Sequence, residues 1–314
     1  MATGTTTTTQ VDPEVDIYFD NILLDRDQPY YVHGYFAQER RIPQKNSKSA
    51  IFRRFDNLAD ALTPLTEGVS PATEQVSKFD ITTTVSQYGK VVELSDDVVI
   101  TVQDETSNEV ADMLAQNMWS TYDILIRNML QATATQIDCI NGINGNSPTE
   151  LTVVDVERAI DYLDGNNGKK MAPVVEGTNA FGTAPVWAAY WMIVSTDLRS
   201  DVKSLDNFLP TASYPRQQSV LEAEYGSLDE LRVVKTTQAY KTNTSPIIFS
   251  NFMFAANGYG KVSIDDQSMQ MIIKPLGAGQ DPLDQRQTMG WKGRMGAVIL
   301  DDAWVLNLRA TRSS

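Results

Sequence analysis

Seven apolar residues, Val110, Leu114, Met118, Tyr122, Leu125, Met129 and Ala132, follow one another at spacings of 4, 4, 4, 3, 4 and 3. An α-helix places such a series on one face. Ser107 stands where an N-cap belongs, and "NGINGN" (141–146) supplies a stop. A helix is expected over about 106–136, roughly 30 residues and about 45 Å long at 1.5 Å per residue. That exceeds the usual 11–12 residues, so the helix is a spine.

The chain before the spine has a different texture. "MATGTTTTTQ" (1–10) is low in complexity and has nothing with which to build a core. Residues 11–45 mix apolar and polar residues without a clear period and read as an extended arm. From Ile51 to Leu94, prolines at 64 and 71 and Gly68 are followed by "FDITTTVSQYGKVVEL", rich in β-branched residues. That pattern predicts a long two-stranded excursion.

After the spine, Thr152 and Asp155 form a capping-box-like start to a second helix. Val153, Val156, Ile160 and Leu163 supply its face, and Gly165 ends it. "APVWAAYWMIVS" (184–195) reads as a buried strand and "STDLRSDV" as a capped short helix. Further strands are expected at 231–237, 246–256, 261–264, 269–276, 294–300 and 303–310. An arm, a β excursion, a spine helix and then mixed elements make an α+β protein. At 314 residues the chain suits one large domain or two modest ones.

Candidate chemistry is sparse. A serine or cysteine nucleophile generally needs a base, and the one histidine, His33, falls in the expected arm. Cys139, the one cysteine, excludes an intrachain disulfide and reads as a small buried residue. One Cys and one His cannot make the usual zinc set. The pairs Asp96–Asp97, Asp265–Asp266 and Asp301–Asp302 are adjacent residues, which point apart on a strand, and read as surface acids. No glycine-bearing segment carries the Lys-Ser/Thr of a phosphate loop. No cofactor or metal is expected. No apolar run approaches a membrane span, and the N-terminus lacks a signal-peptide layout.

Net charge is −14, which disfavours a protein that wraps duplex DNA. The charge is uneven. Residues 39–54 carry Arg40, Arg41, Lys45, Lys48, Arg53 and Arg54 against Glu39, a local +5 on a remainder of −19. Such a segment can pair with an acidic neighbour or remain a solvated loop. "LGAGQDPLDQRQTMGWK" (276–292) joins two expected antiparallel strands by a loop too long for a tight hairpin. Asp281, Asp284, Gln285 and Arg286 offer charges and an amide with no nucleophile or base beside them. Contacts to another protein chain are the economical reading.

That last segment resembles the carboxy-terminal signature of a podovirus-like family of tailed-bacteriophage major capsid proteins. "FRRFDNLADALTPLTEGVSPATE" (52–74) and "SQYGKVVELSDD" (86–97) resemble the family's amino-terminal half, and "YWMIVSTDLRSDV" (190–202) its central strand and "DLR" turn. The marks occur in family order over roughly Phe52–Ala310. One departure stands out: the family's central strand often runs into His-Pro, where this chain has "VSTDL".

The resemblance implies the Hong Kong 97-type capsid fold. Residues 1–45 would be the N-arm and 46–95 the extended loop overlapping a neighbouring subunit. Residues 96–146 and 266–300 would form the peripheral domain, and 147–265 and 301–314 the axial domain. The function would be self-assembly, as hexamers and pentamers, of an icosahedral shell enclosing double-stranded DNA without sequence-specific binding. Assembly would take place in the bacterial host cytoplasm. A separate scaffolding protein, a portal and decoration proteins would be the further partners, without large N-terminal cleavage. Arg40, Arg41, Arg53, Arg54, Asp281, Asp284, Gln285 and Arg286 would make intersubunit contacts, with Gly277–Thr288 as the peripheral tip and Trp291 anchoring its base. An encapsulin-like compartment, which shares the fold, and an enzyme with perturbed carboxylates are the alternatives.

Overall fold

The structure, a computed structural model, describes residues 29–65, 67–68, 70–71, 73–101, 106–174, 186–215, 220–265, 269–275 and 283–313. In chain order the strands and helices are β1 (Gln38–Ile42), β2 (Ser49–Phe55), β3 (Lys78–Thr84), β4 (Ser86–Ser95), α1 (Asp96–Thr101) and α2 (Thr106–Thr133). Then come β5 (Thr135–Asp138), α3 (Val153–Gly165), β6 (Tyr190–Ser195), α4 (Arg199–Ser204), β7 (Leu209–Pro210) and β8 (Glu224–Leu228). The chain closes with β9 (Leu231–Thr236), β10 (Ile248–Phe254), β11 (Tyr259–Ile264), β12 (Met269–Lys274), β13 (Arg286–Ile299) and β14 (Val305–Thr311).

The spine helix α2 is 28 residues long. Ser107 lies inside it rather than at its cap, and it stops at Thr133, before "NGINGN". The next residues, Thr135–Asp138, are drawn into a parallel pairing with β14. Ladder bonds supplied from a distant segment end the helix where local signals alone would have let it run.

A seven-stranded sheet has the order β5-β14-β10-β6-β9-β8-β7. Its central strands are buried on both faces, so β6 reads as an unbroken apolar run until its final Ser195. One face sends Trp191, Ile193, Phe252, Phe254 and Val305 into a core shared with Leu114, Ile126 and Leu130 of α2. The other sends Met192, Val194, Met253, Leu306 and Leu308 against Val156, Ala159, Ile160 and Leu163 of α3. The regular strand begins at Tyr190, later than the run 184–195 predicts, and residues 184–185 lie outside the described set.

The second sheet is organised by β13, whose 14 residues pair with β11, β12 and β4. Two expectations change here. The excursion over 51–94 is two-stranded only in β2–β3, because β4 lies along β13 from Arg286↔Ser95 to Met295↔Ser86. The expected arm is not free over its described part. β1 pairs in parallel with β11, and Val32, His33 and Phe36 are buried. The sequence-based boundaries also cross the sheets: β11, expected with the axial part, pairs with β13, and β5, expected with the peripheral part, pairs with β14.

At α3, the Thr152 hydroxyl accepts from the Asp155 N–H as a cap should. The Asp155 side chain does not return the favour to the Thr152 N–H. It is fully buried and accepts from Ile140 N (3.0 Å), Asn141 Nδ2 (3.1 Å) and Thr152 Oγ1 (2.7 Å). One carboxylate thus ties the "NGINGN" loop to a helix start. Asp155→Ala removes the buried acceptor these donors share, and each of them that water does not then reach costs about 1–3 kcal/mol. Thermal melting of the variant should show the loss, whereas Asp161→Ala on the solvent side of α3 should leave melting unchanged.

Candidate assembly surfaces

The β2–β3 hairpin is held at its root and uncovered at its tip. At the root, Phe52 packs with Ile42, Val85 and Val262, all buried. The guanidinium of Arg40 lies 4.5 Å over the Phe52 ring and donates to the Ile51 carbonyl at 2.9 Å. Arg54 pairs with Asp301, which also caps the short turn Asp302–Trp304. Arg53 faces its cross-strand partner Asp80 with two bonds, 2.7 and 3.2 Å. Those bonds hold the Asp80 carboxyl below its ordinary range. Arg41 bonds Glu39 at 3.2 Å.

The four arginines of the basic segment are therefore engaged within this chain. The acidic partners expected from neighbouring subunits are supplied for Arg53 and Arg54 by Asp80 and Asp301. The adjacent-acid reading changes with it, since Asp301 is a structural partner rather than a surface charge. Toward the tip the hairpin exposes Phe55, Leu58, Leu62, Leu65, Val76 and Phe79, with Leu62 87% and Leu65 75% accessible. Composition had not singled these leucines out. The signal was the place of Leu62 and Leu65 on either side of Pro64, in a segment whose strands pair only with each other among the described residues.

The second surface is the end of β13. Asp281 and the rest of 276–282 lie outside the described residues. Asp284 takes a left-handed backbone at φ 55°, and the Gln285 carbonyl accepts from Asp96 N at 3.0 Å. Arg286 opens β13, exposed, with Glu93 at 3.9 Å. Trp291 sits farther in, 3% exposed, donating Nε1–H to Asn117 Oδ1 of α2 at 3.1 Å. Its ring belongs to the core shared with α2.

Sequence reasoning missed one buried connection. His33 donates from its backbone N–H to Asp123 Oδ1 (2.8 Å) and from Nδ1 to Asp123 Oδ2 (2.7 Å). Its carbonyl accepts from the Tyr259 hydroxyl at 2.5 Å. One residue therefore ties the N-terminal segment to both α2 and β11. Nothing near His33 in sequence signals this, because Asp123 is 90 positions away. Cys139 is buried, and burial pushes its thiol far above the ordinary value, which suppresses thiolate chemistry. Among the described residues no group of three His, Cys, Asp or Glu side chains is placed to hold a metal ion. Among them, too, no helix is long and apolar enough to cross a membrane.

The arrangement is that of a subunit built for contacts, and comparisons with known proteins agree. The family model for phage capsid protein matches residues 78–308. The chain belongs to this phage capsid protein family. Among solved structures, the capsid of cyanophage P-SCSP1u superposes with a TM-score of 0.69 at 15% identity, covering 100% of this chain and 97% of that one. The capsid of Helicobacter pylori bacteriophage KHP30 gives 0.70 at 8% identity, covering 99% and 100%. The capsid of Ralstonia phage GP4 gives 0.67 at 11% identity, covering 99% of each. Comparison with curated proteins gives no match. The fold is the Hong Kong 97-type capsid fold, and the protein is a major capsid protein of the phage head shell, where copies of it associate.

Two positions on β13, its exposed first residue and a buried one within it, should respond differently to substitution. Trp291→Ala removes a buried ring and should cost about 3–5 kcal/mol in monomer stability. Arg286→Ala, at an exposed pair, should change it by no more than about 1 kcal/mol. Thermal melting of both variants checks the contrast, and equal losses would place Arg286 in the fold's own support.

Proposed function

We propose that the chain is the repeating subunit of a closed icosahedral shell, arranged in hexamers and pentamers around double-stranded DNA. In this reading the β2–β3 hairpin is the extended loop and reaches a neighbouring subunit. The seven-stranded sheet belongs to the axial domain, and α2 with β13 to the peripheral domain. The end of β13, with Asp284, Gln285 and Arg286, would meet other subunits at the peripheral tip. A separate scaffolding protein, a portal and decoration proteins would be partners, and assembly would take place in the bacterial host cytoplasm. The chain would carry out no catalysis and use no cofactor.

The observation that carries the reading is the hairpin. Its apolar side chains are exposed from a root fixed by a small core and ion pairs. Large exposed apolar patches mark partner surfaces. A rigid root also lowers the entropy lost when the tip is ordered against a partner. An acidic body keeps DNA from adhering to the wall that encloses it.

The test separates folding from assembly. Leu62→Ser with Leu65→Ser removes apolar surface that touches no core, so monomer melting should hold. Particle formation, counted by electron microscopy after co-expression with the scaffolding protein, should collapse. Normal shells from this variant would remove the hairpin from the assembly contacts.

A further inference from the structure

The outermost strand of a sheet leaves one row of N–H and C=O groups unpaired. If that strand is also apolar it takes up another chain, unless charge, proline or shortness prevents it. The seven-stranded sheet is protected at both ends. β7 is two residues long and ends on Pro210, and β5 is four residues long and ends on Asp138. In the second sheet β1 reads QERRI, three charges in five residues, and β4 carries Lys90 and Glu93. The hairpin strands carry Arg53 and Arg54 on β2, and Lys78 and Asp80 on β3.

β12 has none of these protections. It reads MQMIIK, six residues without proline, and its one charge, Lys274, stands at the end. It pairs with β13 in unbroken register from Met269↔Gly293 to Lys274↔Thr288, and among the described residues no strand lies along its other side. Met271, Ile272 and Ile273 follow one another and are 37–51% exposed. Successive residues point to opposite faces of a sheet, so this edge is apolar on both. Met271 stands opposite buried Trp291, at the rim of the core beneath α2, and Ile272 lies on the other face.

The best match for this edge is the same edge of another copy, because β1 and β4 would set charged residues against it. Two antiparallel strands of identical chains are exchanged by a twofold axis perpendicular to their sheet. Such a rotation keeps every residue on its own face, and residues directly opposite share a face. The residue at the axis must therefore meet its own counterpart. Only Met271 or Ile272 at the axis keeps five of the six residues paired. With Met271 there, Gln270 falls opposite Ile272. With Ile272 there, Met271 falls opposite Ile273 and Gln270 opposite Lys274, so apolar meets apolar and polar meets polar. The two copies of Lys274 then stand four residues apart, about 14 Å at ~3.4 Å per residue. That exceeds the screening length of about 8 Å at physiological salt.

We infer that β12 pairs edge to edge with β12 of a second copy of this chain, antiparallel about a twofold axis at Ile272. The pairing rests on the shell reading above and adds a contact between subunits made by backbone ladder bonds. It joins β4, β13 and β12 of two subunits into one continuous sheet. Main-chain bonds supply the attraction, and the side chains opposite one another fix the register. The apolar rows of Met271, Ile272 and Ile273 leave water on both faces at once.

Cysteine placed at the axis tests the pairing in assembled shells. Opposite residues of an antiparallel pair have Cα atoms about 4.5–5.5 Å apart, within disulfide reach. Oxidised shells of Ile272→Cys should therefore run on non-reducing gels as covalent dimers, with most subunits linked and no larger species, since each cysteine meets only its counterpart. Gln270→Cys alone and Lys274→Cys alone should stay monomeric, and shells mixed from the two should give the dimer. Ile272→Lys sets two cations opposite each other and should lose most particles while monomer melting holds. Monomeric Ile272→Cys, dimers formed equally well by Gln270→Cys alone, or normal shell yield from Ile272→Lys would each overturn the inference. If Leu62→Ser with Leu65→Ser stops assembly while Ile272→Cys shells stay monomeric, the shell reading stands and the twofold pairing of β12 fails.

Discussion

The apolar stripe of α2 must be covered along a helix of 28 residues, and two sheets share that task. The seven-stranded sheet meets it with Trp191, Ile193, Phe252 and Phe254, and β13 meets it with Met289, Trp291 and Met295. At about 25 cal/mol per Å² of apolar surface removed from water, this shared burial is the main favourable term joining the two sheets. The Trp291–Asn117 bond and the His33–Asp123 pair then fix how the helix lies, because each buried polar group has one satisfying position. Phe254 of β10 and Tyr259 of β11 add a direct contact between the two sheets, with ring centroids 4.8 Å apart.

The same subunit leaves other apolar groups uncovered. Ordering a residue costs about 1–2 kcal/mol of backbone entropy, and the hairpin beyond Phe52 has no layer over it to offset that cost. The root answers part of this through the cluster of Ile42, Phe52, Val85 and Val262 and through ion pairs to Asp80 and Asp301. Exposed ion pairs are worth little singly, about 0–1 kcal/mol. Their value here is directional, since they hold a long two-stranded ribbon at one angle to the body. A subunit that must fit identical neighbours benefits from an extension with a fixed origin and an unsatisfied tip.

Charge follows the same division. The +5 segment at 39–54 is largely occupied with this chain's own carbonyls and carboxylates, and so stiffens the root. The cations of β12 and β13 lie on a sheet face that no element of the described chain covers. Two basic regions that look alike in composition therefore do different work, one internal and one outward.

Residues with a local period were legible in the sequence. The α2 stripe, the Thr152 cap, the strand at Tyr190–Ser195 and the β12–β13 pairing were all read there, because helical and strand periods are properties of neighbours in the chain. The scarcity of nucleophiles and bases was legible for the same reason, as was the order of family marks from Phe52 onward. Tertiary structure alone decided the rest. It set the end of α2 at Thr133 through pairing with a strand about 170 residues later. It drew β4 out of the excursion and onto β13, and buried His33 of the supposed arm against Asp123. It also turned Arg53 and Arg54 toward acids of their own chain. These outcomes depend on hydrogen bonds and burial between segments far apart in sequence, which carry no local period by which they could be read.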